Sequence, residues 1–282
     1  MSAVSAAQST KDRDKDAGRR EYDVIREAFI RLLIHTKTSA ESLEVLEDMI
    51  TLRASFLIDR ALQGLRIDMD RALDILRNFN DFTTERERQQ REILIAAVEN
   101  LVDFAIAEEY AMIQKLPEEP DENEIEAYEH ICERYNLTYA REENSTVLFA
   151  AGMAAWWLTV DAGTVITFMT QGDERVRPWH EAWEGASYPK REFPVELIPP
   201  LEWGCRCFLI ADGFGSVYGA LPSKDSKRKP EVNPVFSESL AAGGRIFTNA
   251  HPYFRYNIPN AIREIGERIK SKFGYNGKDN VG

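Results

Sequence analysis

The chain has 282 residues, 44% of them hydrophobic and 29% charged, which is ample material for one large folded body or two modest ones. Lys and Arg number 35 against 47 Asp and Glu, a formal net charge of -12. That balance excludes a protein whose main work is coating phosphates, because Lys and Arg dominate such affinity.

Residues 1–20 (MSAVSAAQSTKDRDKDAGRR) are small, polar and charged, with no apolar period. They are expected to form a disordered tail, and they lack the apolar core of a secretory signal. From 21 to 116 the pattern predicts a helical domain, an antiparallel bundle or hairpin. Tyr22, Ile25, Phe29, Leu32 and Leu33 recur at helical spacing and share one face. Thr38 with Glu41 has capping-box spacing and opens a second helix carrying Leu43, Leu46, Ile50, Ala54, Leu57 and Ala61. A shorter helix follows at 68–79. Thr84 with Glu87 repeats the cap and starts a long helix that ends near Leu116. The polar residues of this half read as solvated helix faces, with no ligand-type cluster.

Residues 117–124 (PEEPDENE) are acidic, hold two prolines and read as a linker. An α+β domain is expected over 125–258. It begins with an amphipathic helix whose inner side is Ile125, Tyr128, Ile131, Cys132 and Tyr135. A polar loop at 141–145 then leads into VLFAAGMAAWWLTV, whose alanines favour a tightly packed helix. This is the most apolar run, and it falls short of the ~18–20 residues that cross a bilayer. TVITFMT (164–170) is β-branched and aromatic and predicts a strand. Irregular sequence rich in Pro, Gly and Trp follows, then CRCFLI as a second strand. GGRIFTNAHPYF is expected to form a short third element. GFGSVYG, after Asp212, lacks the spacing of a nucleotide loop. The region 259–282 predicts a final helix over about 259–273, closed by Gly274, and a loose tail. The fold class is therefore α+β: a helical bundle or hairpin, then a small irregular α/β domain.

Chemistry-bearing residues concentrate in Gly172 to His180 (GDERVRPWH) and Cys205-Arg206-Cys207. If the first run is extended, Asp173, Arg175 and Arg177 share one side, where carboxylate and guanidinium can pair bidentately and hold an irregular loop to the sheet. A metal reading uses the same region. Cys205 and Cys207, two apart on a strand, face one way, and His180 with Asp173 completes a tetrahedral zinc shell. With three cysteines in the chain, the remaining thiol is Cys132, and an odd count argues against a disulfide framework. A catalytic reading makes Asp173 and Glu174 acid–base groups beside His180, or activates a cysteine nucleophile with it. No recognisable oxyanion or phosphate loop accompanies that set. Trp179, Trp183 and Trp203 read as core or interface anchors, and His251 as a packed loop residue. His35 and His130 sit within helical patterns.

In order, the chain presents a small-residue helix, a strand, Asp173-Glu174-Arg175-Val176-Arg177-Pro178-Trp179-His180, then Gly185, Pro199-Pro200 and Cys205-Arg206-Cys207. This succession resembles the Mu-F-like head morphogenesis proteins of tailed bacteriophages. NPVFSESLAAGGRIFTNAHPYF is similar to the ending of some members. One departure is that the helix before the strand reads AAGMAAWW where the family often carries a polar Arg-Thr-Glu-type pattern. The resemblance implies a minor capsid protein, a structural part of the virion and not an enzyme. It implies association with the portal protein and/or the major capsid protein, proximity to packaged DNA, and location in the phage head, with assembly in the host cytoplasm. It also marks Asp173, Glu174, Arg175, Arg177, His180, Gly185, Pro200 and Arg206 as the structural motif. Some relatives carry a toxin domain, so the alternative is a toxin or hydrolase that uses the Asp173/His180/Cys205 region.

Overall fold

The computed structural model describes residues 3–34, 39–78, 84–212 and 230–275. Thr38, His35 and the glycine-rich 213–219 lie outside them. The architecture is α+β, with long helices followed by a small antiparallel sheet. Contacts divide the chain into two compact units. The first is Met1–Ile58, Leu101–Ser145 and Tyr253–Lys272; the second is Asp59–Asn100, Thr146–Pro252 and Phe273–Gly282. This differs from the expected succession of separate stretches at 21–116, 125–258 and 259–282. The reason is tertiary: an amphipathic helix packs on whichever apolar stripe is available, near or far in the chain.

In the first unit, helix α1 (Ala3–Ile34) packs on α5 (Ile125–Glu133), with Arg26 reaching Glu129 at 2.6 Å. Tyr22, Ile25 and Phe29 are buried as their spacing predicts. The expected disordered tail at 1–20 is helical from Ala3 onward, since Ala, Lys, Arg and Gln extend a helix without needing an apolar face. Helix α2 (Ser39–Leu65) contributes Leu46, Met49, Ile50, Ala54 and Leu57 to the core. Helix α4 (Glu85–Ile113) contributes Leu101, Val102, Phe104 and Ala105. Helix α8 (Asn260–Ser271) buries Ile262, Ile265 and Ile269, and its Gly266 lies against Ile106.

The 141–145 segment is not a loop. After α5, a π-helical turn (Arg134–Tyr139) leads directly into α6 (Ala140–Trp157). Glu143 and Asn144 face inward because a buried cation lies there, while Arg141, Glu142 and Ser145 are exposed. Arg53, 1% exposed, donates to Glu108 at 2.6 Å, Glu143 at 2.5 Å and Asn144 at 2.7 Å. Tyr253 donates to the other oxygen of Glu143 at 3.0 Å. These helices are therefore not a scaffold with polar residues only on solvated faces. Glu109 is also buried, with Asn136 Nδ2 at 3.5 Å and no partner for its Oε1. Burial first, then the charge of Glu108, pushes its carboxyl well above the usual range.

In the second unit, α3 (Met69–Arg77) starts at Asp68, whose side chain accepts from Arg71 N–H. The expected capping box at Thr84 and Glu87 forms, with reciprocal bonds of 3.0 and 3.2 Å at the start of α4. The small residues of α6 serve a close approach. A Cβ on Gly64 would sit 2.6 Å from Ala151 Cβ and from Leu148 O, so only glycine fits. The sheet has the order β2-β1-β3, both pairs antiparallel. Strand β1 (Val165–Met169) alternates, burying Ile166 and Phe168. β3 (Phe208–Asp212) runs beside it, Met169 opposite Phe208. The third strand is β2 (Ser187–Pro189), not the GGRIFTNAHPYF stretch. That stretch instead forms turns held by Asn100, which bonds Phe247 O at 2.8 Å and the N–H groups of Ile246 and Phe247 at 2.8 and 2.9 Å. Three residues are too few to show an alternating pattern, so β2 left no signal.

Two outcomes test this packing. Gly64→Ala meets backbone as well as a side chain and is expected to cost about 1–3 kcal/mol or more, read as a lower urea midpoint. A raised carboxyl at Glu109 means the folded protein keeps a proton that the unfolded chain releases above about pH 4.5. Stability is therefore fully present below that pH and falls as pH rises toward the folded-state value. Glu109→Gln is expected to flatten the fall, removing up to about 1.4 kcal/mol per pH unit in that window. Parallel wild-type and variant profiles in circular-dichroism titrations would contradict it.

Candidate functional site

The segment after β1 is turned, not extended. Arg175 N–H donates to Asp173 Oδ1 at 3.1 Å, and Val176 N–H to Asp173 O at 3.0 Å. This turn presents the Asp173 carboxylate to Arg206, which binds it bidentately at 2.6 and 2.7 Å. The Arg206 hydrogen bonds hold the Asp173 carboxyl below the usual carboxylate range. A bidentate brace was expected; its cation is Arg206, not Arg175 or Arg177. Gln171 fastens the same place by donating to Arg206 O at 3.0 Å. Glu174 and Arg175 are exposed.

Arg177 crosses to the loop before β3, donating to Trp203 O at 2.8 Å and lying 2.8 Å from Glu202 Oε1. Pro178 then opens the short helix α7 (Pro178–Glu181), which carries His180. Gly185 follows at φ +78°, a conformation that favours glycine, and its N–H bonds Phe168 O at 2.9 Å to bring the chain back along β1. Glu184 accepts from Thr170 N–H at 2.6 Å. Pro200 stands in a cis peptide after Pro199, just before Leu201, which is buried.

His180 is 2% exposed, with a neighbour close to each ring nitrogen. Nδ1 lies 3.1 Å from Cys207 Sγ. Nε2 lies 2.7 Å from Glu202 Oε1, a close approach in which neither atom makes a well-aligned hydrogen bond. Cys205 and Cys207, 8% and 3% exposed, sit in the loop just ahead of β3 and not within the strand. They still turn to one side: the ligating atoms of His180, Cys205 and Cys207 all lie within 4.8 Å of one another. Asp173, expected to be the fourth member, is occupied by Arg206.

Such close sulfurs share their protons unequally. A hydrogen bond from Cys207, then one from His180, pulls the Cys205 thiol down to about 4 against the opposing effect of burial. The neighbouring sulfur and burial push Cys207 up. The arrangement is chemically a thiolate–thiol–imidazole cluster backed by a carboxylate. Around it, Trp203 stacks on Phe247 with ring centres 5.5 Å apart and meets Phe236 edge-on at 5.0 Å. His251 packs against the same rings, and burial pushes it down to about 4. Trp203 and Trp183 are thus packing anchors, as expected. His130 is exposed near Glu133. Glu202, absent from the sequence reading, lies in Leu201-Glu202-Trp203, where nothing distinguishes it from any surface glutamate.

Residues 109–210 match the family model described as Phage Mu protein F like protein. This segment is Mu F-like. It opens at the buried Glu109, closes in β3, and includes Asp173, His180, Glu202, Cys205 and Cys207. An uncharacterized protein of Methanocaldococcus jannaschii is 34% identical over 84 residues, 30% of this chain. The aligned stretch is 11% of that relative's length. No solved structure matches the chain.

The two braces of the Mu F-like loop differ in burial. Glu202→Ala removes the carboxylate that lies 2.7 Å from buried His180 Nε2 and is expected to cost about 1–3 kcal/mol, whereas Asp173→Asn, at an exposed pair, costs much less. All five tryptophans belong to this unit, so denaturation followed by tryptophan fluorescence reads both. Equal losses would refute the dependence on burial.

Proposed function

We propose that the protein acts in phage head morphogenesis as a minor structural component of the head. The observation that carries the reading is the Mu F-like match over 109–210, which covers the braced loop from Asp173 to Cys207. The chemistry of the loop supports it. Asp173, Arg177 and Arg206 are engaged in holding the fold together, which is what a building part requires of them. In this reading the protein joins the head through the portal protein or the major capsid protein, works beside packaged DNA, and passes from host cytoplasm to virion. A net charge of -12 suits a neighbour of DNA that is not pinned to it.

One observation favours a second reading, a cysteine hydrolase: the 3.1 Å approach of His180 Nδ1 to Cys207 Sγ. Burial of both partners weighs against it, since a nucleophile must be reached by substrate.

Mass spectrometry of purified particles and procapsids separates the two. The structural reading expects the chain in both at a fixed low ratio to the major capsid protein, and in a complex captured with the portal or capsid protein. Absence from procapsids and virions alike would reject it.

A further inference from the structure

Two buried thiols and a buried imidazole converge with ligating atoms no more than 4.8 Å apart. Bringing polar sulfurs and a ring nitrogen out of water costs free energy unless they find partners. Glu202 Oε1 lies 2.7 Å from the outer nitrogen of His180 without the alignment of a hydrogen bond. A carboxylate behind a histidine is the arrangement that fixes the tautomer and turns the other nitrogen toward a metal. Here that nitrogen is Nδ1, and it already faces Cys207. Thiolate sulfur with imidazole nitrogen is a donor set that suits zinc, and two thiolates neutralise its charge in a buried place.

We propose that His180 Nδ1, Cys205 Sγ and Cys207 Sγ bind a zinc ion. Glu202 positions the imidazole from behind. Asp173 is not a ligand, because both its oxygens are held by Arg206. Among the described residues no further His, Cys, Asp or Glu joins the cluster. The fourth position is therefore filled by water, from the small cleft that Gln171, Arg177 and Arg206 line beside His180 and Cys207. The ion would tie α7 to the loop before β3, adding a third fastening to the two polar braces.

The test uses the full chain, purified under reducing conditions, stripped with a chelator and dialysed against zinc. Elemental analysis is expected to return about one zinc per chain. Cys205→Ser, Cys207→Ser and His180→Asn are expected to lose it, while Cys132→Ser and Asp173→Asn retain it. Glu202→Gln is expected to weaken zinc affinity about 10–100-fold, read by competition with a chromogenic chelator. Because a ligand variant can fail to fold, cobalt added to the stripped wild type gives a second reading: a thiolate-to-cobalt absorption band that zinc abolishes. No zinc and no such band, zinc retained by the double variant Cys205→Ser/Cys207→Ser, or loss of zinc in Asp173→Asn would each overturn the site. So would isolation of the wild type with Cys205 and Cys207 joined as a disulfide that excludes zinc under reducing conditions.

Discussion

A chain with little regular secondary structure leaves charged and backbone groups without partners, and between 170 and 207 this protein finds those partners across one narrow junction. Asp173 meets Arg206, Arg177 meets Trp203 O and Glu202, and His180 meets Glu202 and Cys207. Each contact joins the turn after β1 to the loop before β3. The strands themselves are short, so their ladder alone fixes little of the intervening chain. The contacts make an irregular path a single shape. They are also unequal: the Asp173 pair is in water and screened, while the His180 imidazole is buried.

The other unit follows the same rule of compensation at a deeper level. Arg53 is a full charge in a helical core, and it is tolerated because Glu108, Glu143 and Asn144 surround its guanidinium. Carboxylates outnumber the cation there, and burial makes it costly for all of them to ionise. Burial first, and then the charge of Glu108, raise the Glu109 carboxyl well above the usual range. The π-helical turn belongs to this arrangement, since it carries Asn136 to the Glu109 side chain and places Tyr135 against Tyr253. Substituting an apolar residue for any single member would strand the rest, which makes the group a unit in the energetic sense.

Much of the architecture was legible without coordinates. Apolar spacing placed α2, proline and Gly274 bracketed α8, the Thr84–Glu87 cap marked a start of α4 that forms as written, and TVITFMT was a strand. The errors share one cause. The 141–145 stretch looks like a loop because it is polar, yet Glu143 and Asn144 answer a cation 90 residues away. The tail looks unstructured because it has no apolar face, yet helix propensity does not require one. At the site, Asp173 was grouped with the cysteines or with Arg175 and Arg177, whereas a turn gives it to Arg206. Glu202 had no signature at all.

What the sequence by itself determined is the inventory: an acidic α+β protein, helices before a small sheet, and thiols, imidazole and charged groups gathered in one Mu F-like stretch. Those follow from composition, local periodicity and motif order, which are properties of neighbours along the chain. What only the tertiary structure decided is pairing: Arg206 with Asp173, Glu202 behind His180, Arg53 among buried carboxylates, and α8 on α4. The physical reason is that a charge or an apolar face accepts any complementary partner. Which one it meets depends on how distant segments come to lie within a few ångströms of each other.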